Sequence, residues 1–264
     1  LFNLVLEPLL RTIYATSSLP GFVFHNPLIR QPSDNQASAP SLKALAYADD
    51  IIVFLSSPEE IQTLMSIFSI YERASNARLN CHKTIAVSIS GSPLDSWQST
   101  LSSAGIIHCH DRSSPTAAIY LGFPLTSAKH QTTAFLSDIL FKTQNRAQQL
   151  QQRNLSILGR SLVANSLIMS PIWHAIRVLA LPQSFFDKIR SVVIKFLSRK
   201  NFPAVGFQSC QRPRKEGGIA ILDPSTQHAA LQLRWLQPLL LPSTDEPMYD
   251  LSLIHISEPT RPEP

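Results

Sequence analysis

Two short apolar runs flank an acidic pair in Leu42-Lys43-Ala44-Leu45-Ala46-Tyr47-Ala48-Asp49-Asp50-Ile51-Ile52-Val53-Phe54-Leu55. Aliphatic and β-branched residues on both sides of a pair of Asp residues are typical of a β-hairpin. We therefore predict a hairpin whose turn carries Asp49 and Asp50. Adjacent carboxylates repel each other in a partly buried site, and a divalent cation removes that repulsion. The pair is either a metal site or a polar hairpin tip, since Asp is common in turns.

The residues before the hairpin predict a helix and then an irregular connection. Apolar residues recur at helical spacing over residues 1–16. Those near one face of this helix are Leu4, Val5, Pro8 and Leu9. Residues 25–41 are rich in Pro, Ser, Asn and Gln without periodicity, which predicts a loop. The chain has no initiator Met and no basic region of a secretory signal before its first apolar residues, so we interpret it as starting inside a domain.

A second helix is predicted directly after the hairpin. Ser57-Pro58-Glu59-Glu60 has the order of a helix start, with a Ser cap, Pro at the first helical position and Glu closing a capping box. The apolar face that follows consists of Ile61, Leu64, Met65, Phe68 and Tyr71. We expect Asn76 to end this helix in the left-handed conformation, because Asn tolerates it better than most residues do.

Short strands are predicted after this helix. One covers residues 84–89 and places Ile85, Val87 and Ile89 on the same side. A further strand and turn are predicted over residues 118–124.

The second half of the sequence predicts helices. Apolar spacing is helical over residues 130–150, 162–168 and 185–197, and Pro171 and Pro182 separate these segments. A mixed first part followed by a helical second part indicates an α+β fold, with a boundary near residues 124–129.

Charge is distributed unevenly along the chain. The whole sequence carries a net charge of +5, but the segment from Ile139 to Glu216 has 13 basic and 2 acidic residues, so that it is +11 and the remainder −6. Its basic residues are Lys142, Arg146, Arg153, Arg160, Arg177, Lys188, Arg190, Lys195, Arg199, Lys200, Arg212, Arg214 and Lys215. Such a segment is typical of a phosphate-binding surface or of a solvated basic face.

Composition excludes some classes of protein. No apolar run approaches the roughly 18 residues that a membrane-spanning helix needs, so we expect a soluble globular protein. Cys81, Cys109 and Cys210 are odd in number and far apart, which argues against a disulfide framework and favours a reducing compartment. His108-Cys109-His110-Asp111 has metal-ligating residue types, but neighbours on a strand face opposite sides and no second ligand pair follows at zinc spacing.

Several motifs occur in the order found in the reverse transcriptases of LINE-type retrotransposons. Tyr47-Ala48-Asp49-Asp50 resembles their Tyr-x-Asp-Asp motif. The motif that follows it is similar to Ala74-Ser75-Asn76-Ala77-Arg78-Leu79-Asn80-Cys81-His82-Lys83-Thr84, a helix end followed by Leu-Asn and Lys-Thr. Tyr120-Leu121-Gly122 resembles their primer-grip turn. Parts of residues 158–171 and 217–235 are similar to the thumb and the region after it, and Leu1-Phe2-Asn3 resembles the end of the motif before the hairpin. The resemblance covers roughly residues 1–241.

This resemblance implies roles for the residues around the hairpin. Asp49 would bind metal, and Asp50 would be a weaker second carboxylate near the primer end. Tyr47, with Ala48, would lie beneath the nucleotide and the primer. Lys83 would approach the phosphates of the incoming nucleotide and stabilise the departing pyrophosphate, or is a surface lysine with no such role.

The resemblance also implies contacts with nucleic acid. Tyr120, Leu121 and Gly122 would position the primer strand, with Gly allowing close backbone approach, or are an ordinary strand end. The basic helices would hold template RNA and primer DNA through their phosphates. The cations that we assign to these phosphates are Lys142, Arg146, Arg153 and Arg160. The implied cofactor is Mg²⁺ or Mn²⁺, with two ions in the intact enzyme. The implied substrates are deoxynucleoside triphosphates, and the family acts inside the cell, on nuclear DNA, without a membrane partner.

The fold implied by the resemblance is a partial polymerase palm followed by an all-helical basic thumb. Residues 1–125 would be the C-terminal part of the palm, an antiparallel sheet with packed helices. Residues 126–200 would form the thumb and residues 201–242 a connection region. Residues 243–264 resemble translated sequencing adapter in part, so we expect a disordered tail or a sequencing artefact.

The sequence departs from the family in one respect that concerns activity. The family has a third palm carboxylate and a Gly-rich turn upstream of the hairpin, and Glu7 and Asp34, the acids before the hairpin, are not in strand-like contexts. We therefore expect no polymerase activity from this chain alone. Two alternatives stay open: a non-catalytic nucleic-acid-binding remnant or maturase-like RNA-binding protein, and a structural hairpin in an unrelated α+β protein.

Overall fold

The computed structural model describes residues 2–23, 41–198 and 206–240 and has the α+β fold predicted from the sequence. Its helices are Phe2–Ala15 (α1), Glu60–Ser75 (α2), Asp95–Ser103 (α3), Lys129–Gln151 (α4), Ile157–Val163 (α5), Ser170–Ile176 (α6), Gln183–Ser198 (α7), Phe207–Gln211 (α8) and Pro224–Leu240 (α9). A π-helical segment, Ala164–Met169, joins α5 to α6, and a 3₁₀ turn, Arg214–Glu216, precedes α9. Its strands are Ala44–Tyr47 (β1), Asp50–Val53 (β2), Ile85–Val87 (β3), His108–His110 (β4), Ala118–Tyr120 (β5) and Phe123–Leu125 (β6), which pair as β1–β2, β3–β4 and β5–β6.

The described residues fall into two compact units. The first holds residues 2–23, 41–88 and 92–109, and the second holds residues 89–91, 110–198 and 206–240. The border lies upstream of residue 125, where we predicted the palm to end, because β6 packs against α6 of the helical part. The assignment of palm, thumb and connection stays a prediction.

The core of the first unit lies between α1, α2 and the β1–β2 hairpin. Its buried members are Leu6, Leu9, Ile13, Leu19, Ala44, Leu64 and Ile67. The predicted apolar face of α1 is wrong for Leu4, Val5 and Pro8, which are exposed. Residues 6, 9 and 13 follow the helical repeat and point at the hairpin, whereas Leu4 and Val5 lie outside that stripe.

The second helix has the predicted apolar face but starts later than predicted. Regular α-helix begins at Glu60, and Pro58 lies in a preceding turn. The Glu60 carboxylate accepts the backbone N–H groups of Ser56 and Ser57 at 3.0 and 3.1 Å, so the Glu half of the predicted capping box is present. Asn76 ends the helix with φ of 59°, which confirms its predicted left-handed conformation.

The third strand is shorter than predicted and buries its other side. Ile85 and Ile89 are exposed, whereas Ala86 packs against the buried cluster of Ile61, Leu101 and Ile106, as Trp97 of α3 also does. Ile85 and Ile89 therefore lie on the side of the strand away from this cluster.

The second unit is built on a large helical core. Buried residues of α4, the π segment, α6 and α7 form one cluster: Leu136, Ala147, Ala164, Ile168, Met169, Ile172, Ile176, Phe185, Phe186, Ile189, Val192, Val193, Phe196 and Leu197, with Cys210 and Ile221. Helix α7 begins directly after Pro182, as predicted, since the ring of Pro182 cannot continue a preceding helix.

Pro171 does not separate two helices as predicted. The chain stays helical from α5 through the π segment into α6, with Pro171 in the first turn of α6. Pro lacks an N–H group and cannot bond the carbonyl four residues earlier, which is that of Leu167. The Arg146 guanidinium donates to this Leu167 carbonyl at 3.3 Å. A wider helical turn and a side chain from α4 together accommodate the proline.

An ion pair joins α7 to the start of α9. Arg190 donates to Oδ1 of Asp223 through Nε at 2.9 Å and through Nη2 at 2.7 Å. Oδ2 of Asp223 accepts from the backbone N–H of Thr226 at 3.0 Å, which caps the first turn of α9. Burial raises the pKa of the Asp223 carboxyl, but hydrogen bonds from Ser225, Thr226 and Arg190 outweigh that effect and lower the pKa to about 2.

The depressed pKa of Asp223 predicts a loss of stability in acid. A carboxyl whose pKa falls on folding stabilises the folded state above its unfolded pKa and loses that contribution as pH falls towards its folded pKa. Here the window runs from about pH 4 to pH 2, and the contribution is on the order of 2 kcal/mol. The free energy of unfolding in urea should therefore fall less between pH 5 and pH 2.5 in Asp223→Asn than in the wild type.

The matched control is Asp138→Asn, because Asp138 pairs with Lys142 at 2.6 Å on an exposed surface. Exposed pairs contribute about 0–1 kcal/mol. The free energy of unfolding of this variant should therefore fall between pH 5 and pH 2.5 nearly as much as that of the wild type. Equal behaviour of the two variants would contradict a special role for Asp223.

Some predicted features fall outside the described residues. They are residues 25–40 of the predicted loop, with Asp34, then Arg199 and Lys200, residues 201–205 and 241–242 of the predicted connection region, and the predicted tail, residues 243–264. Within the described residues, no helix combines the length and apolar character that a membrane span requires.

Candidate functional site

The acidic pair sits at the tip of a tight hairpin. Strands β1 and β2 pair antiparallel with Ala44 opposite Val53 and Tyr47 opposite Asp50, which leaves only Ala48 and Asp49 in the loop. The predicted hairpin is confirmed, but its turn is shifted: Asp49 lies in the turn and Asp50 begins β2. Partners across an antiparallel pair point to the same face, so Tyr47 and Asp50 share one face of the hairpin.

That face is the one turned away from the core. Ala44, Ile51 and Val53, on the alternate positions, belong to the core of the first unit. Tyr47, Ala48, Asp49 and Asp50 are all exposed, and Tyr47 keeps 42% of its surface accessible. The hairpin therefore presents an aromatic ring and two carboxylates together at the surface.

The base of the hairpin is tied to the end of α1. Lys43 donates through Nζ to the carbonyls of Tyr14 and Thr16 at 2.9 and 2.7 Å, and the Tyr14 hydroxyl donates to the Ala44 carbonyl at 2.8 Å. A cation at the C-terminal end of a helix also balances the helix dipole. These bonds fix β1 on α1 and hold the tip by its base.

The turn itself carries backbone strain. Ala48 has φ of 52°, in the left-handed region, where an L-residue other than Gly costs roughly 1–2 kcal/mol. Two-residue hairpin loops need such a positive φ to match the twist of their strands. Strained residues of this kind persist only where the surrounding structure holds them in place, and they cluster at functional sites.

The donor set of the tip fits a hard divalent cation in part. Carboxylate oxygens are the ligands that Mg²⁺ takes in proteins, usually one or two of them with water and substrate phosphates completing an octahedron. Neither Asp49 nor Asp50 has a salt-bridge partner among the described residues. In the same part of the chain, no group of three or more His, Cys, Asp or Glu residues is placed to hold a metal ion, which includes the region of His108 to Asp111.

Lys83 lies in the same unit as the hairpin, in the turn before β3. Its backbone N–H donates to the carbonyl and to Oδ1 of Asn80, at 3.0 and 3.2 Å. The residue is exposed, and within the described residues its ammonium forms no ion pair. Its predicted role at nucleotide phosphates stays a prediction.

The second predicted turn is also a tight hairpin and belongs to the helical unit. Tyr120 pairs with Phe123, so Leu121 and Gly122 alone form the loop, and both have positive φ, of 49° and 80°. This confirms the predicted strand and turn. Positive φ at both central residues is the pattern of a type I′ turn, which favours Gly and disfavours Leu.

A histidine that the sequence did not single out holds this turn. Nε2 of His174, on α6, lies 2.8 Å from the Leu121 carbonyl oxygen, and the ring lies 4.3 Å from the Phe123 ring at 31°. A Cβ added to Gly122 would approach Nε2 of His174 to 3.0 Å. Only the fold brings these residues together, because more than fifty positions separate them.

The four cations assigned to phosphates have different environments. Arg160 donates to the carbonyls of Leu155 and Leu197, at 3.1 and 2.7 Å, and Arg146 donates to Leu167. Lys142 is exposed on α4 beside Asp138, and Arg153 is exposed after the end of α4. Lys142, Arg146 and Arg153 are therefore exposed, whereas Arg160 is half-buried and binds the carbonyl of Leu197 near the end of α7.

Comparison with known proteins gives one relationship across most of the chain. No family model matches this sequence. The chain is 25% identical over 252 residues to a Xenopus laevis protein named "Transposon TX1 uncharacterized 149 kDa protein". The similarity covers 91% of this chain and 17% of that protein, so the chain spans about a sixth of the length of this relative. The name of the relative places it in a transposon and assigns it no activity.

Proposed function

We propose that this chain is the C-terminal palm and the thumb of a LINE-type retrotransposon reverse transcriptase, an RNA-directed DNA polymerase. The observation that carries the proposal is the hairpin tip, where Tyr47, Asp49 and Asp50 stand together at a strained two-residue turn. The similarity to a transposon protein extends over 91% of the chain and supports a mobile-element origin. The basic segment supports a polyanionic partner.

In the proposed reaction, the primer 3′-OH attacks the α-phosphate of a deoxynucleoside triphosphate, and pyrophosphate leaves. Two Mg²⁺ or Mn²⁺ ions held at the carboxylates would activate the attacking oxygen and neutralise charge on the departing phosphates. Asp49 would be the principal ligand, since the turn presents it to solvent, and Asp50 the second. Further ligands would come from substrate, water and parts of the protein other than this hairpin.

The remaining residues would bind and orient. The Tyr47 ring, on the same face as Asp50, would lie under the nucleotide and the end of the primer. Lys83 would meet the departing pyrophosphate as a point charge. The Leu121–Gly122 turn would hold the primer strand, and the exposed cations of the helical unit would hold template and primer phosphates.

Primer extension on an RNA template with Mg²⁺ tests this proposal. We would compare the chain as given with a version extended upstream by the palm and fingers of a related element. The expected result is extension by the longer protein only. Extension by the chain as given would show that Glu7, Asp34 or a second subunit supplies the missing carboxylate. Failure of both, with the longer protein folded, would contradict the polymerase assignment.

Salt dependence of binding tests the phosphate contacts separately. Removing one cation that binds a phosphate should reduce the slope of log Kd against log salt by about 0.7–0.9. We expect the Lys142→Ala/Arg153→Ala double variant to bind primer–template more weakly, with a slope smaller by about 1.5. Arg11→Ala is the matched control, because Arg11 is an exposed cation of the other unit. An unchanged slope in the double variant would show that neither Lys142 nor Arg153 contacts a phosphate.

A further inference from the structure

The Leu121–Gly122 turn is held in an unfavourable conformation from outside the hairpin. Leu121 has φ of 49°, which its own side chain disfavours, and the hairpin has only three residues in each strand. A two-stranded hairpin of this length is marginally stable by itself. Its geometry therefore depends on what packs against it.

His174 supplies the contact. A carbonyl oxygen only accepts hydrogen bonds, so Nε2 of His174 must carry the proton that it donates to Leu121. The same ring packs on Phe123 and lies directly against Gly122. One imidazole thus touches three successive residues, two in the turn and one in the strand after it.

We propose that His174 is a positioning residue that fixes the Leu121–Gly122 turn in the conformation that receives the primer strand. This inference rests on the proposed function and deepens it, because it assigns the control of the primer-contacting turn to α6. His174 and Gly122 are both exposed, so a bound strand can reach the turn while the ring still supports it from the side. Without the ring, Leu121 is free to leave the left-handed region, and the backbone that the primer meets changes shape.

The test uses the chain as given and a DNA primer annealed to an RNA template, with a photoreactive nucleotide at the primer 3′ end. Two quantities are measured: the Kd for primer–template, and the fraction of crosslinks that map to residues 118–125. In His174→Ala we expect the turn crosslink to fall about tenfold, which equals about 1.4 kcal/mol and is near the net value of one hydrogen bond. His174→Gln, which can still donate to Leu121, should recover most of the crosslink.

His130→Ala is the matched control. Nε2 of His130 lies 2.9 Å from the Ser114 carbonyl in the same unit and is also exposed, so this variant loses an equivalent bond elsewhere. Its turn crosslink should equal that of the wild type. If His174→Ala fails to fold, His174→Phe carries the test, because Phe keeps a ring against Phe123 and removes only the donor. It should lose the crosslink as Ala does.

The outcomes separate this inference from the proposed function. If His174→Ala and His174→Phe both bind primer–template and both keep the full turn crosslink, the positioning role of His174 is overturned and the proposed function is not. The same is true if His130→Ala loses as much as they do. Absence of primer–template binding in every form, wild type included, overturns the proposed function, and the role of His174 with it.

Discussion

Replacing Asp49 with Asn is expected to reduce primer extension at least about 10³-fold, or about 4 kcal/mol, in the version of the protein extended upstream. The substitution removes the charge that neutralises a divalent cation and keeps the size of the side chain. Asp49 lies in an exposed turn, and Asn is as favourable in turns as Asp, so the fold should not change. The measurement is single-turnover nucleotide incorporation with Mg²⁺, together with thermal unfolding to show that both proteins are folded.

Two further variants make this result specific. Asp95→Asn alters an exposed acid of the same unit, in the first turn of α3, and should leave extension unchanged. Asp50→Asn should give a smaller loss than Asp49→Asn, because Asp50 is proposed as the weaker carboxylate. Full activity of Asp49→Asn would refute the catalytic role of the hairpin. If neither the unaltered protein nor Asp49→Asn extends a primer and both bind nucleic acid equally well, the non-catalytic binding protein is favoured.

Replacing Phe196 with Ala is expected to destabilise the helical unit by about 3–5 kcal/mol. Phe196 is only 2% exposed and lies in the core formed by α4, the π segment and α7. Removing the ring loses its burial and leaves a cavity that the surrounding helices only partly refill. Urea unfolding followed by circular dichroism gives the difference in free energy.

Phe141→Ala is the matched control, because Phe141 is 60% exposed on α4 of the same unit. We expect a change within about 0.5 kcal/mol, as for most surface substitutions. A loss at Phe141 as large as that at Phe196 would mean that the two rings have similar surroundings, contrary to this structure.

Local sequence signals predicted the elements of the site well. The two short apolar runs around the two Asp residues were sufficient to predict the β1–β2 hairpin, and Asn76 marked the end of α2. The turn was misplaced by one residue, because hairpin register is set by the pairing of both strands and not by which residues are polar. The roles of these residues with metal and nucleic acid remain predictions.

Other features had no local signal. The first helix is apolar on more than one side, so its sequence predicted Leu9 on the core face but did not reveal Leu6 and Ile13. Contacts between distant residues were equally hidden. Asn165 bonds the backbone of both Ala220 and Leu222, at 2.9 and 3.1 Å, and such pairings depend on the tertiary fold.

Because the loop has only two residues, Ala48 and Asp49, the hairpin tip is far more sensitive to a change in loop length than to the replacement of a single residue. Side chains alternate along a strand, so one residue inserted or deleted between Tyr47 and Asp50 would either break the pairing or turn Asp50 and the rest of β2 to the opposite face. A conservative replacement at one position alters a single side chain, whereas a one-residue shift in strand register moves every side chain of the strand to the other face. Among related sequences, a change of length at these few positions would therefore indicate that the arrangement of Tyr47 and Asp50 on one face is lost.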